Sequence, residues 1–159
     1  MLVFEKLNPK THDRNKFSCG VPVLDTYLQR YASQNYRDGD STTHVVVDTE
    51  DRSRILGYVT LSTASLNLAQ INCEELHKFR RNPVPAIRVC RLAVSTEHQN
   101  RKIGSSLLGY AVLKSRSLRD IAGVRVLLVD AKNEQVACFY KRFGFKPTVL
   151  APLVLYYVL

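Results

Sequence analysis

From residue 87 onward the chain alternates twice between a run that suits a strand and a run that suits a helix. Residues 87–94 place Ile87, Val89, Arg91 and Ala93 on one face and Arg88, Cys90, Leu92 and Val94 on the other, which is strand periodicity. A polar loop, 95–102, leads into a helix from Gly104 towards Arg116, whose apolar stripe is Leu107, Leu108, Ala111 and Val112. Residues 124–129 read as a strong strand. Residues from about 134 to 143 read as a second helix that buries Val136, Phe139 or Tyr140, and Phe143, with Gly144 as its C-cap. A last strand is expected over 153–158. Consecutive β-α-β passages demand a sheet with helices packed on it.

The first half carries hairpin signals instead. Residues 3–7 are a strand candidate, and Cys19-Gly20-Val21-Pro22 breaks the chain before a helix. There Leu24, Tyr27, Leu28, Tyr31 and Ala32 fall on one helical face. Residues 45–47 and 55–61 are strands joined by a charged segment. Residues 64–68 form a third strand candidate and 74–81 a short helix, stopped by Pro83 and Pro85. The expectation is a mixed α/β sheet with helices on both faces.

Length and composition set the bounds. A chain of 159 residues with 45% hydrophobic residues suits one globular domain, 1–159, able to bury a core without staples. An acid precedes any long apolar run at the start, so no secretory signal is expected, and no stretch is apolar for long enough to span a bilayer. The reading is a soluble, cytoplasmic protein with no membrane association. Cys19, Cys73, Cys90 and Cys138 form no C-x-x-C pair, and the four histidines are scattered, so no metal site is expected. The four thiols are expected reduced, three of them packed as small hydrophobes. The net charge of +9 fits either a polyanionic partner or a plainly basic, soluble surface.

The chemistry concentrates in Arg91 to Ser105. A strand, a polar loop and a helix start follow one another there, so free backbone N–H groups meet the positive end of a helix dipole. That suits a pyrophosphate, and Arg101 and Lys102 add charge. Gly104 allows close approach and Ser105 can donate. A basic strand-to-helix loop with no ligand reads the same way.

The segment also resembles the acetyl-CoA signature of the GNAT N-acetyltransferases, Q/R-x-x-G-x-G/A, with Gln99 at its first position and Gly104 at its last. Lys102 stands where the signature has its middle glycine. Downstream, Asn133 opening a helix and Phe139-Tyr140-Lys141-Arg142-Phe143-Gly144-Phe145 closing it resemble the second half of that fold. Phe17-Ser18-Cys19-Gly20, Ile55 to Ser62, and Pro83-Val84-Pro85 before Arg91-Leu92-Ala93-Val94 are similar to the GNAT toxins of toxin–antitoxin modules. Those enzymes acetylate the amino group of aminoacyl-tRNA and block translation.

The resemblance implies a GNAT fold: a mixed, mostly antiparallel sheet with a splayed strand pair at the cofactor site. It implies that the backbone of Leu92, Ala93 and Val94 pairs with the pantetheine arm. Gln99, Asn100, Arg101, Lys102, Ile103, Gly104 and Ser105 then hold the pyrophosphate, with Asn133 and Phe139 nearby. Tyr140 is the expected general acid for the departing thiolate; on periodicity alone it reads sooner as a core aromatic. Lys78, Arg80, Arg81, Arg88 and Arg91 are the candidate tRNA surface, set against a solvated basic face. A homodimer and a ribbon-helix-helix antitoxin are the implied partners. Two other functions fit the residues: acetylation of a protein or small-molecule amine, and a non-catalytic RNA-binding module. Cys90 as a nucleophile has no histidine in a recognisable arrangement beside it.

Overall fold

A computed structural model describes residues 1–159. In chain order the elements are β1 (Leu2–Lys6), α1 (Pro22–Thr26), a π turn (Tyr27–Tyr31), α2 (Ala32–Asp38), β2 (Thr42–Asp48), β3 (Gly57–Leu66), β4 (Val84–Val94), α3 (Ile103–Ser117), β5 (Val126–Asp130), α4 (Glu134–Phe143), β6 (Lys146–Pro147) and β7 (Val154–Val158). The strands hydrogen-bond in the order β1-β2-β3-β4-β5-β7-β6. β4 and β5 run parallel, as a strand–helix–strand connection requires. No helix is long and apolar enough to cross a membrane.

The chain forms two compact units, Met1–Ser62 with Cys90–Ala111, and Thr63–Val89 with Val112–Leu159. β3, β4 and α3 each contribute residues to both. In the first unit β1 and β2 pair antiparallel with Phe4 opposite Val46, and β2 pairs with β3 with His44 opposite Val59. Their inner faces join the helical segment around Phe17, Tyr27, Leu28, Val45, Val47, Tyr58 and Ala93. In the second unit β5 pairs with β7, and Leu66, Phe79, Val84, Val126, Leu128 and Tyr156 form the core.

Several local expectations give way. Residues 64–66 are the end of β3 rather than a strand of their own, because Ser62 and Thr63 continue the extended backbone. The helix expected over 74–81 shrinks to one 3-10 turn, Leu76–Lys78. Tyr31, expected on the buried face, is 54% exposed: the π turn between Tyr27 and Ala32 shifts the phase of the helix. On α4 the buried positions are Ala137 and Tyr140, while Val136, Phe139 and Phe143 are half-buried. Only Cys19 is buried; Cys73 and Cys138 are exposed and Cys90 is half-buried.

Candidate functional site

In the first unit the end of β4 is tied down on both flanks before the chain turns into α3. Ser95 donates its N–H to Leu56 O at 2.9 Å and Thr96 donates to Ser18 O at 2.9 Å. Gly57 lets β4 and α3 come close: a Cβ there would stand 2.9 Å from Ala93 O and 3.0 Å from Leu107 Cδ1. The sequence names Gly57 only as part of a resemblance; its packing role is visible only in three dimensions.

Gln99 has its side-chain nitrogen taken up within the chain. Its Nε2 donates to Cys19 O at 3.0 Å and to Val94 O at 3.1 Å, so it clamps the loop to the strand it leaves. The next residues take the unusual backbone. Asn100 has φ 66° and Lys102 has φ 62°, both left-handed. Lys102 thus keeps the conformation that a glycine would supply, at a cost of roughly 1–2 kcal/mol for a residue with a Cβ. Left-handed residues among right-handed and extended ones turn successive N–H groups towards one concavity, an anion-binding nest. Along α3, Ser106 N–H donates to Lys102 O at 3.0 Å. The N–H groups of Ile103, Gly104 and Ser105 precede that bond and have no intrahelical acceptor. Ile103, Leu107 and Leu108 are buried and hold this turn in place, while Asn100, Arg101, Lys102 and Ser105 are exposed.

Behind the loop, His98 and Arg101 line a cavity of about 360 Å³ with Arg54, Leu56 and Ile103. His98 Nδ1 is buried with no hydrogen-bond partner. Burial, then the charges of Arg54 and Arg101, push the His98 pKa down, which favours the neutral imidazole. Arg54 is ion-paired with Glu97. Nothing in the residues beside His98 marks it in the sequence.

In the second unit the β4–β5 ladder runs from Ala86 opposite Val126 to Val89 opposite Val129. β4 itself continues to Val94, so Leu92, Ala93 and Val94 lie past the last of these pairs. After β5, Asn133 caps α4 by accepting from Val136 N–H at 2.9 Å, and Gly144 closes it at φ 119°. Tyr140 is 5% exposed and packs edge-on against Phe139 and Phe145, with ring centroids 5.1 and 5.5 Å away. Burial raises its pKa to about 12, so the phenol keeps its proton at neutral pH.

The basic candidates divide between the units. Lys78, Arg80 and Arg81 are exposed in the second unit, where Lys78 pairs with Glu75 at 3.2 Å. Arg88 is half-buried there and pairs with Asp130 at 2.6 Å. Glu75 is itself buried. Desolvation works to raise its pKa, but hydrogen bonds from Tyr156, Lys146 and Lys78 outweigh it and hold it down at about 2. Arg91 belongs to the first unit, its guanidinium 3.8 Å above the Tyr27 ring.

Residues 39–147 match the acetyltransferase (GNAT) domain family. A tRNA-acetylating toxin of Mycobacterium tuberculosis is 34% identical over 144 residues, covering 89% of this chain and 82% of the relative. The solved structure of AtaT complexed with acetyl-methionyl-tRNAfMet matches with a TM-score of 0.91 at 24% identity, over 99% of this chain and 95% of the other. AtaTR bound with acetyl-CoA matches with a TM-score of 0.81 at 26% identity, over 99% and 92%.

Proposed function

The chain belongs to the GNAT acetyltransferase family, and from that premise we propose that it acetylates the α-amino group of aminoacyl-tRNA and so blocks translation. The donor is acetyl-CoA, which supplies an activated acetyl thioester. The observation that carries the reading is the loop at 99–105. Two non-glycine residues are held left-handed there, next to helix N–H groups that have no intrahelical acceptor. Such a nest suits a pyrophosphate, and it fits the cofactor with Lys102 in place.

The residues divide the work. Backbone amides from Asn100 to Ser105 bind the pyrophosphate, and Arg101 and Lys102 add charge. Gln99 opens this loop and its side chain tethers it to Cys19 and Val94. Leu92, Ala93 and Val94 offer backbone groups beyond the β4–β5 ladder to the pantetheine amides, and an N–H of Leu92 or Ala93 polarises the reacting carbonyl. Asn133 starts α4, and Phe139 flanks Tyr140. The Tyr140 hydroxyl, protonated and held by no group of the chain, gives its proton to the departing sulfur. No strong base is required: the α-amino group of an aminoacyl ester has a pKa near or below about 8, so much of it is neutral at pH 7.

Lys78, Arg80, Arg81, Arg88 and Arg91 supply the positive charge that an RNA backbone needs. The match to the M. tuberculosis toxin supports tRNA as the substrate class. The similar AtaT toxin solved bound to the C-terminus of the antitoxin AtaR supports an antitoxin partner; we read it as a ribbon-helix-helix protein, with this chain a cytoplasmic homodimer acting as a single domain over 1–159. The test is direct. Purified protein, labelled acetyl-CoA and a pool of charged tRNA should yield label on the aminoacyl ester, released with it by mild base. Label on lysine peptides or small amines, and none on charged tRNA, overturns the substrate assignment.

A further inference from the structure

We propose that Tyr27 is a positioning residue that holds Arg91 as the anchor for one phosphodiester of the RNA substrate; this rests on the tRNA reading above. The starting point is an imbalance of charge. Arg91 is half-buried on β4, and no carboxylate of the chain pairs with it. Other arginines of the chain are treated otherwise: Arg88 pairs with Asp130 and Arg54 with Glu97. Asp25, two residues before Tyr27, accepts instead from the Cys19 N–H at 2.9 Å. A partly desolvated guanidinium without a counter-ion is costly unless an anion completes it.

The contact that Arg91 does make leaves its donors unspent. Its guanidinium carbon lies 3.8 Å from the Tyr27 ring centroid. Stacking of this kind fixes the plane of the fork through the ring face, while the N–H groups at its edge remain available for bidentate phosphate binding.

The ring beneath is unusually well fixed. Tyr27 is 4% exposed. Its hydroxyl accepts from Asn35 Nδ2 at 3.0 Å and shares a second 3.0 Å bond with Ser41 Oγ. Tyr58 stacks against it with centroids 6.5 Å apart, and Tyr58 is itself anchored by donating to Leu24 O at 2.7 Å. Tyr27 also begins the π turn, where Ala32 N–H reaches back five residues to its carbonyl. Single π turns are rare and recur at functional sites, because the extra residue re-aims what precedes it.

The test uses the full-length protein in two assays: acetylation of aminoacyl-tRNA, and equilibrium binding of uncharged tRNA across a salt series. Arg91→Gln should raise KM for aminoacyl-tRNA about tenfold, leave KM for acetyl-CoA and kcat unchanged, and lower the slope of log affinity against log salt by about 0.9, one phosphate contact. Arg91→Lys keeps the charge but not the planar fork, and should recover less than half of that loss on a logarithmic scale. Tyr27→Leu should raise the same KM about five- to tenfold although Arg91 is intact, whereas Tyr27→Phe, which keeps the ring, should stay within about twofold of the parent. Circular dichroism and Tm accompany each variant; if Tyr27→Leu does not fold, Tyr27→Met replaces it. An unchanged tRNA KM in Arg91→Gln, or a raised acetyl-CoA KM in its place, overturns the anchor. A Tyr27→Leu protein indistinguishable from the parent overturns the positioning role. If the parent acetylates no charged tRNA, the functional reading falls, and the binding series alone then decides the anchor.

Discussion

α4 and the loop that opens α3 solve opposite problems. α4 has both ends closed from within: Asn133 accepts from Val136 N–H, Gly144 takes the left-handed cap, and Lys141 pairs with Glu134 at 3.0 Å. The loop at 99–102 spends Gln99 on tethering and leaves the first amides of α3 without an intrahelical acceptor. It also holds two left-handed residues that carry side chains. A closed end stabilises its own helix. An open end forgoes that stability and gains a place for an anion. The contrast is what the proposed function rests on: the open loop is the proposed binding element, and α4, closed at both ends, is the mount that holds Tyr140.

The largest effect should come from the mount's one polar passenger. Tyr140→Phe keeps the ring and its packing, so Tm and acetyl-CoA affinity should hold while kcat falls by about 100- to 10,000-fold. Full turnover by this variant would reduce Tyr140 to a core aromatic and erase the distinction. The pH profile sharpens it. Burial raises the phenol's pKa to about 12, so its acid form persists through neutral and mildly alkaline pH. The parent's kcat should therefore show no falling limb between pH 7 and 10.

Next in size, Gly104→Val should weaken acetyl-CoA about 10- to 100-fold in calorimetry, because a branched side chain intrudes where the backbone must approach the ligand. Unchanged affinity would move the nest elsewhere. Asn133→Ala removes a cap and should lower stability by about 1 kcal/mol in denaturant, with little change in acetyl-CoA affinity. A large fall in affinity would mean that this cap is also a ligand.

The smallest effect concerns Lys102. Lys102→Gly relieves the left-handed strain but adds unfolded-state entropy, so stability should rise by less than about 1 kcal/mol. Acetyl-CoA should bind about two- to fivefold more weakly as one exposed cation is lost. Tighter binding would show that the ammonium contributes nothing.

The same contrast explains what could be read in the sequence. The α4 ends were legible to the residue, because caps are local codes and Asn133 and Gly144 are their usual spelling. The β-α-β order was legible for the same reason, since period and length carry it. The left-handed Lys102 was not: only glycine announces that conformation, and a lysine there reads simply as a departure from the motif. The π turn has no residue code either, so Tyr31 was assigned to the buried stripe by a period that the chain does not keep. β6 spans two residues and leaves no periodicity to detect. The lone imidazole nitrogen of His98 and the unpaired guanidinium of Arg91 are facts of three-dimensional company, invisible in a string.

The carboxylate of Glu75 has a consequence for how quickly the basic surface can be engaged. Residues 67–83 join β3 to β4 with no strand or α-helix of their own. A span of that length is expected to wander, and any partner would have to wait for it to settle and pay for its ordering. Glu75 stands midway and fastens to Tyr156 of β7 at 2.5 Å and to Lys146 of β6 at 3.0 Å. One long tether becomes two short ones, and Arg80 and Arg81 hang from the second. On the proposed tRNA reading, an RNA meeting those arginines would find them already on station and would need no folding step to be captured. Acid would undo this. The depressed pKa means that the fastening is in full force above the carboxyl's ordinary value of 4.5 and fails as pH drops towards 2, freeing the arm as the carboxylate takes up its proton.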